Sequence, residues 1–226
     1  MSWFTKTFSS TIGRKLLVAI TGLFLCSFLV VHLIGNLQLF NDDNGAAFNI
    51  YSEFMGHNML IRVMEIVLLL GFIFHIYEAY TLTRRNKNAR SVKYAVNHLD
   101  QNSNWSSRNM GLLGTVILVF LIIHLYNFFI PTKTHNLPPV TIEGETYDNL
   151  YVKVVEAFHN PIYVALYVIS MIALAYHLIH GFQSAFQTLG LNHKKYTPTI
   201  KKFGYLFSVL VCAGFAAMPI YFFFFK

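Results

Sequence analysis

Residues 16–36 read LLVAITGLFLCSFLVVHLIGN, an apolar run long enough to cross a hydrocarbon core of about 30 Å as a helix, with one histidine, His32, near its end. An ionisable side chain inside such a run is rare and marks a functional site by default. Three further runs repeat the arrangement. His75 lies in IVLLLGFIFHIYEAY (66–80), His124 in GLLGTVILVFLIIHLYNFF (111–129) and His177 in YVALYVISMIALAYHLIHGF (163–182). In each, the histidine falls late in the run.

Composition agrees with a membrane reading. Of the 226 residues, 55% are hydrophobic and 12% charged, well below the ~25% charge of a soluble domain. The expected fold is all-α: a single-domain polytopic membrane protein whose five transmembrane helices form a bundle. The spans are placed at roughly 16–39, 60–83, 109–130, 160–188 and 203–225. Ser9, Ser10 and Thr11 are available to cap the first helix. Residues 46–58 read as an interfacial helix, 84–108 as a long basic loop, 131–158 as an outer loop beginning at Pro131, and 189–202 as a short basic loop. The basic start resembles a signal peptide, but the apolar run is longer than the 7–15 residues of a signal core and no small-residue cleavage site follows, so it is read as a retained span.

The formal net charge of +7 reflects topology and not nucleic-acid binding. Lys6, Arg14 and Lys15 precede the first span. Arg84, Arg85, Lys87, Arg90, Lys93 and Arg108 follow the second, and Lys194, Lys195, Lys201 and Lys202 follow the fourth. Only Arg62, Lys133, Lys153 and Lys226 fall on the other side, together with most of the acids. The positive-inside bias therefore puts the N-terminus in the cytoplasm. The two cysteines, Cys26 and Cys212, lie within apolar runs; they offer no disulfide framework, no C-x-x-C-H haem attachment and no iron–sulfur cluster.

Orientation and position together pair the histidines. Spans one and three run outward, so His32 and His124 lie toward the outer face. Spans two and four run inward, so His75 and His177 lie toward the cytoplasm. At 1.5 Å per residue the two levels are about 12–16 Å apart. Two imidazoles from two helices at one depth are what bis-histidine ligation of a haem requires. Filling both axial positions makes each haem an electron carrier. Gly22 and Gly114 each precede a histidine by ten residues, Gly71 lies four before His75, and Gly181 lies four after His177. These glycines are read as room for a flat macrocycle. Glycines in spans also allow close helix packing on their own account. His180, three residues after His177, is an alternative ligand or a contact for a haem propionate. His57, His98, His135, His159 and His193 fall in loops or at span ends and are given no ligand role.

The chain resembles the single-polypeptide, di-haem cytochrome b anchor of succinate:quinone oxidoreductases (succinate dehydrogenase and fumarate reductase), of a Bacteroidetes-like type. The resemblance rests on Thr21-Gly22-Leu23-Phe24 with His32 ten residues after the glycine, on His177-x-x-x-Gly181, and on the stretches SSTIGRK (9–15) and FQTLGLNH (186–193). It implies two b haems, a distal one on His32 and His124 and a proximal one on His75 and His177. It implies a subunit that does not itself act on succinate. As part of a respiratory chain in the bacterial cytoplasmic membrane, it would carry electrons between an iron–sulfur subunit, fed by an FAD-containing flavoprotein subunit, and a membrane quinone, menaquinone in this branch. The loops 84–108 and 189–202 would then form the docking face. Glu53 and Glu65 are the candidate acids for a quinone site. The chain departs from some relatives at Ala175, where they carry a glutamate, and at Val18 and Ala19, where they carry a polar pair. Two other functions fit the histidines: the di-haem cytochrome b anchor of a nitrate reductase, formate dehydrogenase or hydrogenase, and a transporter that relays protons through them.

Overall fold

The computed structural model of the chain describes residues 9–89 and 103–226. Of the basic positions singled out above, Lys6, Arg90 and Lys93 lie outside the described residues, as does His98. The chain is a multi-pass membrane protein: among the described residues five helical segments are long and apolar enough to cross a bilayer. In order the helices are α1 (Thr11–Asn36), α2 (Ala46–His57), α3 (Met59–Asn88), α4 (Trp105–Arg108), α5 (Met110–His124), α6 (Ile130–Lys133), α7 (Leu150–Phe158), α8 (Pro161–Thr188) and α9 (Thr197–Phe225).

Local chemistry explains the starts. Ser10 caps α1, its hydroxyl accepting from the Gly13 amide at 3.0 Å. Asn58 and Asn160 cap α3 and α8 in the same way, and Pro161 occupies the first turn of α8, where a missing N–H costs nothing. The bounds differ from expectation at three places. Helix α1 begins at Thr11 and not near 16, because the Ser10 cap brings Arg14 and Lys15 into the helix. The third span does not stop at Pro131. After His124 it continues as a π-helical turn, Leu125–Phe129, and then as α6, with Pro131 in the first turn of α6. Helix α9 begins at Thr197, inside what was read as a loop, with Pro198 in its first turn.

The 131–158 segment corrects the outer-loop reading. It contains a β-hairpin, β1 (Pro139–Ile142) and β2 (Glu145–Asp148), paired antiparallel with Ile142 opposite Glu145, and then α7. The turn residues Glu143 and Gly144 both have positive φ, 52° and 88°. A two-residue hairpin turn matches the strand twist with both central residues in that region, which glycine adopts without strain.

Helix α8 is the hub and packs on α9, α1 and α5, while α1 also packs along α3. The α8–α9 seam has a plain cause in sequence: Gly204, Ser208, Cys212 and Ala216 repeat every four residues along one stripe of α9. Small residues at that spacing let helices approach closely in lipid. Ser208 is fully buried there and its hydroxyl donates to the Gly204 carbonyl at 2.6 Å.

At one end, α2, α7 and the hairpin cover the bundle. Buried Leu39, Phe48, Val154, Phe158, Val164, Tyr167, Met218 and Phe222 form one apolar cluster beneath this cap. Its polar pin is Asn49, buried, whose amide donates to Asn149 Oδ1 at 3.1 Å and whose carbonyl accepts from the Tyr151 amide at 3.0 Å. The other end carries Arg84, Arg85, Lys87 and Arg108 together with Lys194, Lys195, Lys201 and Lys202. The two are called the capped end and the basic end below.

Candidate functional site: two imidazole pairs across the bundle

Helix α1 packs on α3, α8 on α1, and α8 on α5. Among the described residues α3 and α5 make no extensive contact with each other, and neither do α1 with α5 or α3 with α8. The four helices thus form a square with one open side, whose diagonals are α1–α5 and α3–α8. The histidines bridge those diagonals. The rings of His32 (α1) and His124 (α5) are 5.7 Å apart between centroids and crossed at 87°. Those of His75 (α3) and His177 (α8) are 6.4 Å apart and crossed at 66°. It is His177, and not His180, that meets His75.

The depth difference follows from one contact. Gly22 of α1 lies against His75: a Cβ there would stand 3.2 Å from His75 Cε1. His32 is ten residues further along α1, so the two pairs are about 15 Å apart along the bundle. The pair at His32 and His124 is nearer the capped end.

Each ring has its own surroundings. His75 Nδ1 lies 3.1 Å from Thr21 Oγ1, and that hydroxyl donates to the Leu17 carbonyl at 2.7 Å. Its one proton is therefore committed, so the oxygen accepts and His75 Nδ1 carries the hydrogen. Nε2 is left with a free lone pair, the arrangement that a second neighbour imposes on a metal-binding histidine. His124 Nδ1 lies 3.5 Å from the Tyr167 hydroxyl. His177 Nδ1 is buried and has no hydrogen-bond partner. Near His32, Asn36 Nδ2 donates to the His32 carbonyl at 2.7 Å and lies 3.4 Å from His32 Nδ1. Aromatic rings enclose the pair near the cap: Phe28 stacks on His32 at 5.2 Å, Phe120 on His124 at 5.6 Å, and Phe215 and Phe128 close the sides.

Each pair brings two imidazole rings from helices on opposite corners of the square to within 6.4 Å. A first-row metal–imidazole bond is about 2.0–2.1 Å, so two rings coordinating one metal from opposite sides have centroids roughly 6.2–6.4 Å apart. The His75–His177 pair already has that separation; His32 and His124 would part by about half an ångström. Crossed ring planes suit this geometry, since each plane contains the metal–nitrogen axis and is free to turn about it. Among the described residues no third His, Cys, Asp or Glu joins either pair.

The glycines divide. A Cβ on Gly71 would meet Phe24 at 3.1 Å, so Gly71, like Gly22, serves close packing of α1 on α3. The space beside Gly22 is occupied by the His75 ring. Gly114 and Gly181 have nothing within 4 Å of a Cβ and border open space. Glu65 is held at the capped end by Lys133 at 2.7 Å and Arg62 at 3.5 Å. It ties α3 to α6 and does not cap α3. Glu53 is on α2, its side chain partly exposed and 3.2 Å from His57.

One residue escaped the reading of the sequence. Glu78, one turn beyond His75, is buried and ion-paired with Arg14 at 2.7 Å. Its position in HIYEAY, inside an apolar run, is the same signal that singled out the histidines.

Comparison with protein-family models, curated proteins and solved structures found no match.

Proposed function

We propose that the chain is a di-haem cytochrome b membrane anchor, the electron-transferring subunit of a succinate:quinone oxidoreductase. The observation that carries the reading is the pairing of the four span histidines into two couples, one on each diagonal of the bundle and about 15 Å apart in depth.

Two b haems would be held by His32 with His124 and by His75 with His177, and when bound would supply one-electron chemistry. The protein does the rest. Thr21 holds His75 in the tautomer whose Nε2 coordinates. The Tyr167 hydroxyl lies 3.5 Å from His124 Nδ1 and would accept its hydrogen when Nε2 is the ligand. The aromatic cap keeps water from the pair beneath it. Lipid-facing apolar side chains on every span keep the rest of the path dry. Water exclusion keeps electrostatic interactions strong and prevents side reactions.

The basic end would face the cytoplasm of a bacterial inner membrane, and its lysines and arginines offer a docking surface to an iron–sulfur subunit fed by an FAD flavoprotein. The quinone, menaquinone on the resemblance described above, would exchange with the bilayer. Glu65 is the better placed of the two candidate acids, since it lies at the start of a span, whereas Glu53 lies on the cap.

The test is purification in detergent followed by a haem assay and identification of co-purifying subunits. Two b haems per chain with a flavoprotein and an iron–sulfur protein are expected. Folded, colourless protein overturns the reading. Two haems with a molybdenum- or nickel-containing partner instead keep the cytochrome and reject the succinate complex.

A further inference from the structure

We propose that the Arg14–Glu78 ion pair is the positioning device for the imidazole pair near the basic end. The pair sets the register of α3 on α1 and so the depth at which His75 meets His177. This rests on the di-haem reading above.

Four contacts form a ladder along the antiparallel α1–α3 seam. From the basic end they are Arg14 on Glu78 at 2.7 Å, Thr21 on His75 at 3.1 Å, Phe24 beside Gly71, and Phe28 edge-on to Phe72 at 6.4 Å. Arg14 and Thr21 are seven residues apart, two turns, and share a face of α1. Glu78 and His75 are three apart and share a face of α3.

The seam needs a polar register mark because its apolar part cannot supply one. In lipid, apolar side chains gain nothing by leaving hydrocarbon for one another, so a Leu/Ile/Phe seam displaced by one turn packs nearly as well as the native one. Among the described residues helix α3 has no other extensive partner within the span. It packs on α1, and on α2 only where it starts. A one-turn slip would carry His75 about 5.4 Å along the bundle, out of reach of His177. An ion pair with both side chains mostly sequestered, 14% and 11% exposed, resists that slip because parting it leaves a buried charge alone. Single buried polar contacts fix register in helical assemblies in the same way, at some cost in stability. The Thr21 hydroxyl alone is a weaker mark, since its oxygen is also satisfied within its own helix.

The test compares wild type, Glu78→Gln, Arg14→Gln, and the exchanged pair Arg14→Glu with Glu78→Arg, with Glu156→Gln as a control. Glu156 belongs to a surface ion pair with Lys153 at 3.8 Å. Each protein is reduced and titrated with carbon monoxide, which binds only haem that has lost an axial ligand. The proposal expects no binding in wild type or control, binding by one of the two haems in each single variant, and its loss again in the exchanged pair. A single variant in which both haems stay closed to carbon monoxide, or in which both open equally, overturns the clamp. Where a single variant gives no folded protein, the neutral pair Arg14→Gln with Glu78→Gln is read by the same criteria. Absence of haem in wild type is a separate result: it removes the di-haem reading and, with it, this role.

Discussion

Placing valine at Gly22 tests the geometry of the His75 site at one atom. A single methyl there would sit 3.2 Å from His75 Cε1 and 3.7 Å from Nδ1. Ordinary contact between such atoms is about 3.5–4.0 Å, so Gly22→Ala pushes the ring by a few tenths of an ångström. His75 Nδ1 lies 3.1 Å from Thr21 Oγ1, and a shift of that size stretches this hydrogen bond toward the limit of useful geometry. Loss of the bond costs about 0.5–1.5 kcal/mol. Alanine in place of glycine inside a helix returns about 1 kcal/mol. Gly22→Ala is therefore expected to be close to neutral in stability. Gly22→Val adds two more methyl groups against a ring backed by its own helix, and such overpacking costs about 1–3 kcal/mol. Thermal unfolding in detergent reads the stability, and the haem-to-protein ratio reads the site. Gly22→Val should lose one haem of two while Gly22→Ala retains both. A Gly22→Val protein as stable as wild type and with both haems in place would refute the placement of His75 against α1.

Three other perturbations separate the parts of the structure. Tyr167→Phe removes the hydroxyl facing His124 Nδ1 and should raise the midpoint potential of the haem nearer the cap alone, because a less basic imidazole favours ferric iron less; redox titration reads it. Asn49→Ala strips two hydrogen bonds from the buried pin of the cap and takes the acceptor from the Tyr151 amide, while Asn149 Oδ1 still accepts from the Val152 amide, so the cost is about 1–3 kcal/mol for the one group left unsatisfied, measured by thermal unfolding. Burial raises the Tyr51 phenol above its ordinary 10.0. A raised folded-state value means stability that is complete below pH 10.0 and is lost as the pH climbs through the folded value. Unfolding temperature should therefore fall above pH 10, and Tyr51→Phe should blunt that fall.

Much of the bundle is legible in the sequence because lipid imposes a single strong pattern: long apolar runs, with charges kept between them. The late histidine in each of four runs needs only that pattern and the helical rise to yield two depths. Pairings across the square are a different matter. Arg14 and Glu78 are 64 residues apart, and nothing in either neighbourhood announces the other. The cap was hidden for another reason. Its hairpin has short strands, and its turn is Glu143-Gly144 and not the more familiar Asn-Gly, although the alternation in Val140-Thr141-Ile142 and Thr146-Tyr147 points to it in retrospect. The continuation past Pro131 follows from a proline tolerated in a first helical turn after a π-helical break, which a rule that ends helices at proline misses. The four span glycines differ in what they border. Gly22 and Gly71 bring α1 and α3 together, and only Gly114 and Gly181 border open space.

The most direct measurement is haem content and optical spectrum of the four single variants His32→Ala, His75→Ala, His124→Ala and His177→Ala, purified alongside wild type. The account predicts two spectral classes: His32→Ala and His124→Ala lose one and the same haem, and His75→Ala and His177→Ala lose the other. Four full-length, folded variants with unchanged spectra, or a haem lost jointly by His32→Ala and His75→Ala, would contradict it.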